Sequence, residues 1–269
     1  REVVQQKEEI EVKNRDITDS LNYAQRIQAS ILPPIKKLHD AFTGSFVFYQ
    51  PRDIVSGDFY WYEQVDANRF IIVCADSTGH GVPGAFMSMI GTTLIKDICL
   101  RAGITKPSEV LTTLDAEVRE ALNQNVETSG SNDGMDIIVA EMDIRTLKIT
   151  ISSAMRPVII YSGGEQIYVK GSRSSVGGQL DDDRVEKEFI DQEFQLKKGD
   201  IVYMFSDGYP DQFGGPLGRK FKMVRLKNLL RDIHDKPMDE QYNYIKSNFF
   251  LWKEDLEQVD DVLFMGIRI

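Results

Sequence analysis

DFYWYEQVDANRFIIVCADSTGHGVPGA, residues 58–85, holds two runs of aromatic and β-branched residues separated by Asp66-Ala67-Asn68-Arg69 and followed by a glycine-rich loop. The runs, 58–65 and 69–75, predict an antiparallel hairpin. Pairing Val65 with Phe70 sets Asp58 opposite Ser77 and diagonal to Asp76, with the two carboxylates roughly 5–8 Å apart. Carboxylates that close repel unless a cation or a shared proton lies between them, so the hairpin points to a hard-metal site with oxygen ligands. Two solvated turn aspartates are the plainer alternative.

The loop GHGVPG matches G-x-G-x-x-G through Gly79, Gly81 and Gly84. In a dinucleotide fold the glycines begin almost as the strand ends, whereas here Asp76-Ser77-Thr78 intervenes and would set a carboxylate beside the pyrophosphate. No second parallel strand ending in an acid follows about 20 residues on. The glycines are better read as letting the backbone pass close to a metal centre before a helix begins at Pro83.

Outward from this stretch, further strands are predicted at 45–50, 136–142, 147–153, 158–161, 166–170, 187–195, 201–205 and 262–269. Helices are predicted at 83–101, 108–123, 219–234 and 238–250, and a loop at 126–133. Consecutive hairpins with helices outside them imply an α+β fold with antiparallel sheets. Residues 1–32 contain no Gly or Pro and stop at Pro33-Pro34, so one long helix is expected there. Val3, Ile10, Ile17, Ala24 and Ile31 recur every seven residues, while the companion seam (Gln6, Lys13, Ser20) turns apolar only at Ile27. Such a helix either packs its later half (Ile17, Leu21, Ala24, Ile27, Ile31) on the following domain or also pairs with its twin as a weak coiled coil. The expected division is a helical linker over 1–34 and a domain over 35–269.

Of 269 residues, 42% are hydrophobic and 28% charged, enough for a sizeable core and against disorder as the main state. No apolar run nears the roughly 20 residues of a membrane span. The net charge of −10 opposes general binding to nucleic acid or an anionic membrane, so a negatively charged substrate needs local positive charge such as a metal ion. Two cysteines, Cys74 and Cys99, exclude a secreted-type disulfide framework and make a reducing cytoplasm the default. The chain starts at Arg1 with no signal-peptide pattern and is expected to be a piece of something longer.

The far end supplies more carboxylates. Asp207 follows the apolar run IVYMF in FSDG, and Asp260-Asp261 precede VLFMGIRI. If those strands are antiparallel neighbours, the acids fall at one end of the sheet. Together with Asp58 and Asp76, and with no Cys or His cluster, the set favours Mg²⁺ or Mn²⁺.

SGDFYW (56–61), ADSTGHGVPGA (75–85), FSDG (205–208) and VDDVLFMGIRI (259–269) resemble, in order and spacing, the motifs of the SpoIIE/RsbU-type branch of the PPM metal-dependent serine/threonine protein phosphatases. The resemblance covers about 42–269, and NYAQRIQASILPP (22–34) is similar to the linker joining such phosphatases to upstream sensory domains. It implies a four-layer α/β/β/α sandwich of two antiparallel sheets flanked by helices, with a binuclear Mn²⁺ or Mg²⁺ centre at one edge. Asp58 and Asp76 would share the two ions, with the Ser77 carbonyl as a further ligand. Asp207 and Asp260 would hold the second ion, Asp261 would lie behind it or cap the strand, and Asp136 would help a weaker third. A metal-activated water would dephosphorylate phosphoserine, commonly on an anti-sigma-factor antagonist of the STAS type, with Arg52 or Arg156 assisting at the phosphate. His80 is a candidate acid in relatives where Gly-His-Gly follows the aspartate directly; here Ser77-Thr78 intervenes, and a loop-packing role stands beside it. Ser56 replaces the usual second Gly. The helix after Pro83 moves to complete the metal site in this branch, so a dimerising linker through Ile17, Leu21, Ala24 and Ile31 would bias it. The other readings are a phosphatase-like module that only binds partners and dimerises, and a metal-dependent nucleotidyl or cyclase enzyme, for which no base pocket is evident.

Overall fold

A computed structural model describes residues 2–124, 131–178 and 187–269. One sheet runs β1 (Gly44–Gln50), β13 (Val262–Arg268), β10 (Ile201–Phe205), β6 (Val158–Ser162), β7 (Glu165–Val169). The other runs β2 (Phe59–Gln64), β3 (Arg69–Ser77), β4 (Gly134–Asp143), β5 (Lys148–Ala154), β9 (Gln192–Gln195), with the short β8 (Val176–Gly177) on β4. Every ladder in both sheets is antiparallel.

The central strands are apolar on both faces, and the period of two sorts each face to a different layer. Tyr60, Tyr62, Ile72, Cys74, Ile138 and Ala140 turn inward and meet Val202, Met204, Leu263 and Met265 of the opposite sheet. Phe59, Trp61, Ile71, Val73, Ile137 and Val139 turn outward under α3 (Gly81–Lys96) and α4 (Pro107–Ala121), where Val110, Leu114 and Val118 cover them. Phe46, Phe48, Tyr203, Phe205 and Phe264 turn outward under α6 (Lys222–Ile233) and α7 (Met238–Lys253), against Leu226, Leu230, Ile245 and Phe249. The result is the expected α/β/β/α sandwich.

Four expectations are corrected. The β2–β3 hairpin pairs Phe59 with Ala75 and Gln64 with Phe70, one residue off the predicted register. The Val65 N–H donates to Arg69 O, leaving a three-residue turn, and the Asp66 carboxylate accepts the Asn68 and Arg69 N–H groups at 2.9 Å each. The strand predicted over 187–195 is confined to Gln192–Gln195. The helix predicted from 219 starts at Lys222, because Arg219–Lys220 form β12, which pairs with β11 (Phe213–Gly214) over Gly215 and Gly218. The first helical stretch after the glycine loop begins at Gly81, is α-helical to Lys96 and ends in a π-helical turn, Asp97–Arg101. Most of the loop predicted at 126–133 lies outside the described residues.

The N-terminal helix, α1 (Glu2–Ile31), leaves Val3, Ile10 and Ile17 57–77% exposed. Leu21, Ala24 and Ile31 are half-buried, Ile27 is exposed, and the one buried side chain of the helix is Gln28. The docking face therefore runs 21-24-28-31 and is centred on a polar residue. The short α2 (Ile35–Ala41) follows, with Leu38 in the inter-sheet core.

Candidate metal centre

Continuing the β2–β3 ladder one step past Phe59 and Ala75 sets Asp58 directly opposite Asp76, and the β3–β4 ladder pairs Asp76 with Asp136. All three share the parity of the inward-facing Tyr60, Cys74 and Ile138, so three carboxylates form a row across three strands where the inter-sheet core runs out. The other sheet brings its acids to the same end, because β10 and β13 are antiparallel with Phe205 opposite Phe264. Asp207 follows β10 at the start of a short helix, α5 (Gly208–Asp211), and Asp260 precedes β13.

Close backbone contacts enforce this convergence. A Cβ on Gly208 would lie 1.8 Å from the Asp261 carbonyl oxygen, so only glycine lets the two strand ends meet. A Cβ on Gly57 would lie 2.5 Å from Gly79 O, and one on Gly84 would lie 2.3 Å from the same atom. The glycine-rich loop is thus pressed against the residue before Asp58, and its glycines serve backbone-to-backbone contact. The buried Asp261 carboxylate accepts the N–H groups of Arg52 and Gly57, each at 2.7 Å, which fixes the loop carrying Asp58. Gln28 grips that loop from the far side. Its Nε2 donates to Ser56 O (2.6 Å) and Ser88 Oγ (2.8 Å), and its Oε1 accepts the Ser56 N–H (3.1 Å).

Burial dominates the electrostatics. The Asp58 side chain is held well above the usual carboxylate range by burial and then by Asp76, and its buried Oδ2 has no hydrogen-bond partner. Asp76 is pushed up to about 8, by burial first; Asp207, Asp260 and Asp136 add to the rise and Arg156 opposes it. Asp260 is raised by burial, with Asp207 adding to it. Ser77 is buried with an unpartnered hydroxyl.

Among the described residues, Arg156 is the cation that pairs with this cluster. Its Nη2 lies 2.9 Å from Asp76 Oδ2 and 2.9 Å from Asp136 Oδ2, and its Nη1 2.7 Å from Asp207 Oδ2. Its guanidinium is thus engaged by carboxylates of both sheets. Arg52 lies at the cluster's edge, its Nη1 donating to Val259 O at 3.0 Å. His80, at the N-terminus of α3, turns its Nδ1 to Asp53 Oδ2 at 2.9 Å and stays about half exposed. Two residues that the sequence reading passed over matter here. Gln28 carries no signal in the sequence, since the 21-24-28-31 face is a docking face only once its neighbours are seen to be covered. Lys187, half-buried and paired with Asp115 (3.0 Å), fixes the 175–177 segment by donating to Ser175 O (2.9 Å), and Ser175 in turn hydrogen-bonds Asp136; an isolated Lys in a polar stretch carries no such signal.

Among the described residues, no three acidic, His or Cys side chains are already drawn round one point as ligands of a single ion. The donor chemistry nonetheless fits a hard divalent cation: all-oxygen side chains, an orphaned buried carboxylate oxygen at Asp58, and burial that leaves the cluster short of positive charge.

Two packed antiparallel sheets under helices, with aspartates of both sheets meeting at one edge, define a protein of the PP2C phosphatase fold. The SiaA-PP2C domain of Pseudomonas aeruginosa superposes with TM-score 0.84 and 30% identity over 96% of this chain and 98% of that one. The PP2C phosphatase domain of SpoIIE from Bacillus subtilis, solved with a regulatory fragment, superposes with TM-score 0.66 and 18% identity over 84% of this chain and 61% of that one. Phosphoserine phosphatase RsbP of Bacillus subtilis (strain 168) is 24% identical over 224 residues, 82% of this chain and 51% of RsbP, so the chain spans about half the length of that relative. Residues 66–269 match the Stage II sporulation protein E (SpoIIE) family, and the chain belongs to this SpoIIE/RsbU-type family of PPM serine/threonine phosphatases.

Proposed function

We propose that this domain is a metal-dependent phosphoserine/phosphothreonine protein phosphatase whose ions, two Mn²⁺ or Mg²⁺ with a weaker third, are held by Asp58, Asp76, Asp207 and Asp260, the Ser77 carbonyl and Asp136. The observation that carries the proposal is the meeting of four strand-end aspartates from two sheets at one mouth, one of them with a buried oxygen that no group among the described residues satisfies. When bound, such ions supply an acidified water as nucleophile and neutralise the phosphoryl oxygens. The chain's own part is positional. Asp261 and Gln28 fix the Asp58 loop, the β3–β4 ladder fixes Asp76 and Asp136, and the Gly208 contact fixes Asp207 beside Asp260. Arg52 and His80 stand at the rim, where a phosphoryl group or its leaving oxygen would be met.

The substrate we propose is a phosphoserine protein, with a STAS-type antagonist as the first candidate, and residues 1–34 link the phosphatase domain (35–269) to an upstream sensory domain. Val3, Ile10 and Ile17 form an uncovered seam on α1, which supports pairing of two such helices in a homodimer. Buried, unpaired Cys74 and Cys99 suit action in the cytoplasm, and among the described residues no helix is long and apolar enough to cross a membrane. The test is a comparison of phosphate release from a phosphoserine peptide and from nucleotides with Mn²⁺ present. Release from the peptide is expected; release from nucleotides alone would favour the nucleotidyl-type reading, and release from neither, the binding module.

A further inference from the structure

The position of Arg156 has a consequence for cation binding. Its loop joins β5 of one sheet to β6 of the other, and crosses at the end where the aspartates gather. The loop is tightly built. Met155 sits at φ +67°, a conformation non-glycine residues rarely adopt, and its N–H donates to Ser172 O at 3.2 Å. The Arg156 N–H donates to Ala154 O at 2.8 Å, and a Cβ on Gly171 would lie 2.8 Å from Arg156 O. Backbone strain and close packing therefore hold the base of the side chain while its head bridges Asp76 and Asp136 on one sheet to Asp207 on the other. The head is about four-fifths buried (19% exposed), and its Nε has no partner, so the bridging contacts are made only through Nη1 and Nη2.

A divalent cation held by Asp76 and Asp207 would draw on the two carboxylates that the guanidinium now engages, and it would face a like charge at close range in a partly desolvated site. We propose that Arg156 is a built-in counter-cation of this centre, a positioning residue that ties Asp76, Asp136 and Asp207 together across the two sheets and must release Asp76 and Asp207 before a divalent cation takes their oxygens. The proposal rests on the metal-centre reading above. Release has somewhere to go: Arg156, Asp207, Asp211, Tyr168 and Lys222 line an adjoining cleft of about 350 Å³, open enough to receive the guanidinium. The cost of opening the bridge lowers the apparent affinity for the cation by the fraction of molecules in which the bridge is closed.

The test is Mn²⁺ titration calorimetry, paired with thermal unfolding in EDTA, on the intact protein and on Arg156→Ala, Arg156→Lys and Arg52→Ala. Arg156→Ala is expected to bind Mn²⁺ at least tenfold more tightly and to unfold several degrees lower in EDTA, since Asp76, Asp136 and Asp207 lose the guanidinium that bridges them. Arg156→Lys keeps the charge but not the fork, and is expected to bind about threefold more tightly; it carries the test if Arg156→Ala does not fold. Arg52→Ala removes an equal charge that pairs with none of these carboxylates, and is expected to change affinity less than threefold. Binding to the unmodified protein that is unchanged or weakened in the Arg156 variants would overturn the proposal alone, as would an equal gain in Arg52→Ala. No binding in any of the proteins would overturn the metal-centre reading and this proposal with it.

Discussion

Asp76 shows at the scale of one side chain what the whole centre demands. Burial, joined by Asp207, Asp260 and Asp136, moves its carboxyl from 3.8 to about 8 against the pull of Arg156. A carboxyl whose folded value lies above its unfolded one keeps its proton longer in the folded state, so unfolding releases protons across that window. Its favourable contribution is fully present below about pH 4 and is lost as pH rises toward 8. In EDTA the protein is therefore expected to melt at a higher temperature at pH 5 than at pH 8, with the difference much reduced in Asp76→Asn. A melting temperature that climbs from pH 5 to pH 8 in both proteins would contradict this. Asp58 is shifted the same way by burial, and contributes in the same direction.

At the scale of elements, α1 meets the domain through one polar side chain. Gln28 satisfies both the N–H and the C=O of Ser56 and reaches Ser88 on α3, so the helix, the Asp58 loop and α3 share one hydrogen-bonded knot. Gln28→Ala leaves the buried N–H and C=O of Ser56 without this partner and is expected to cost about 1–3 kcal/mol, read as a drop in urea midpoint, with faster amide exchange along α1. An unchanged midpoint would show that the helix docks by its apolar residues alone. This knot was not legible beforehand, because a Gln on a mostly solvated helix carries no signal until its neighbours at 21, 24 and 31 are seen to be covered. The central strands were legible because both of their faces are apolar and their turns carry Gly, Asn and Asp. The adjacency of Asp58 and Asp76 was legible from the hairpin, but the register was not, since it turns on Asp66 capping a three-residue turn. Arg219 and Lys220 run on into a helical sequence, and it is their pairing with Gly214 and Phe213, across a turn with Gly215 and Gly218 at positive φ, that makes them a strand. Arg156 was visible as a basic residue, while its bridging of two sheets is a tertiary fact.

At the scale of the molecule, two sheets closing over a shared core place four distant aspartates at one mouth, and α1 projects from the same body with an unpartnered apolar seam. The triple variant Val3→Ala, Ile10→Ala, Ile17→Ala is expected to shift sedimentation from dimer to monomer and to alter phosphatase activity. A monomer with unchanged activity would separate the helix from regulation. The central claim is that the mouth is a hydrolytic metal centre. It is tested most directly by hydrolysis of p-nitrophenyl phosphate with and without Mn²⁺, by this protein and by Asp207→Asn. The account predicts turnover that requires Mn²⁺ and falls at least about a hundredfold in Asp207→Asn, a loss of about 2.7 kcal/mol of transition-state stabilisation. Turnover independent of Mn²⁺, or equal in the two proteins, would contradict it.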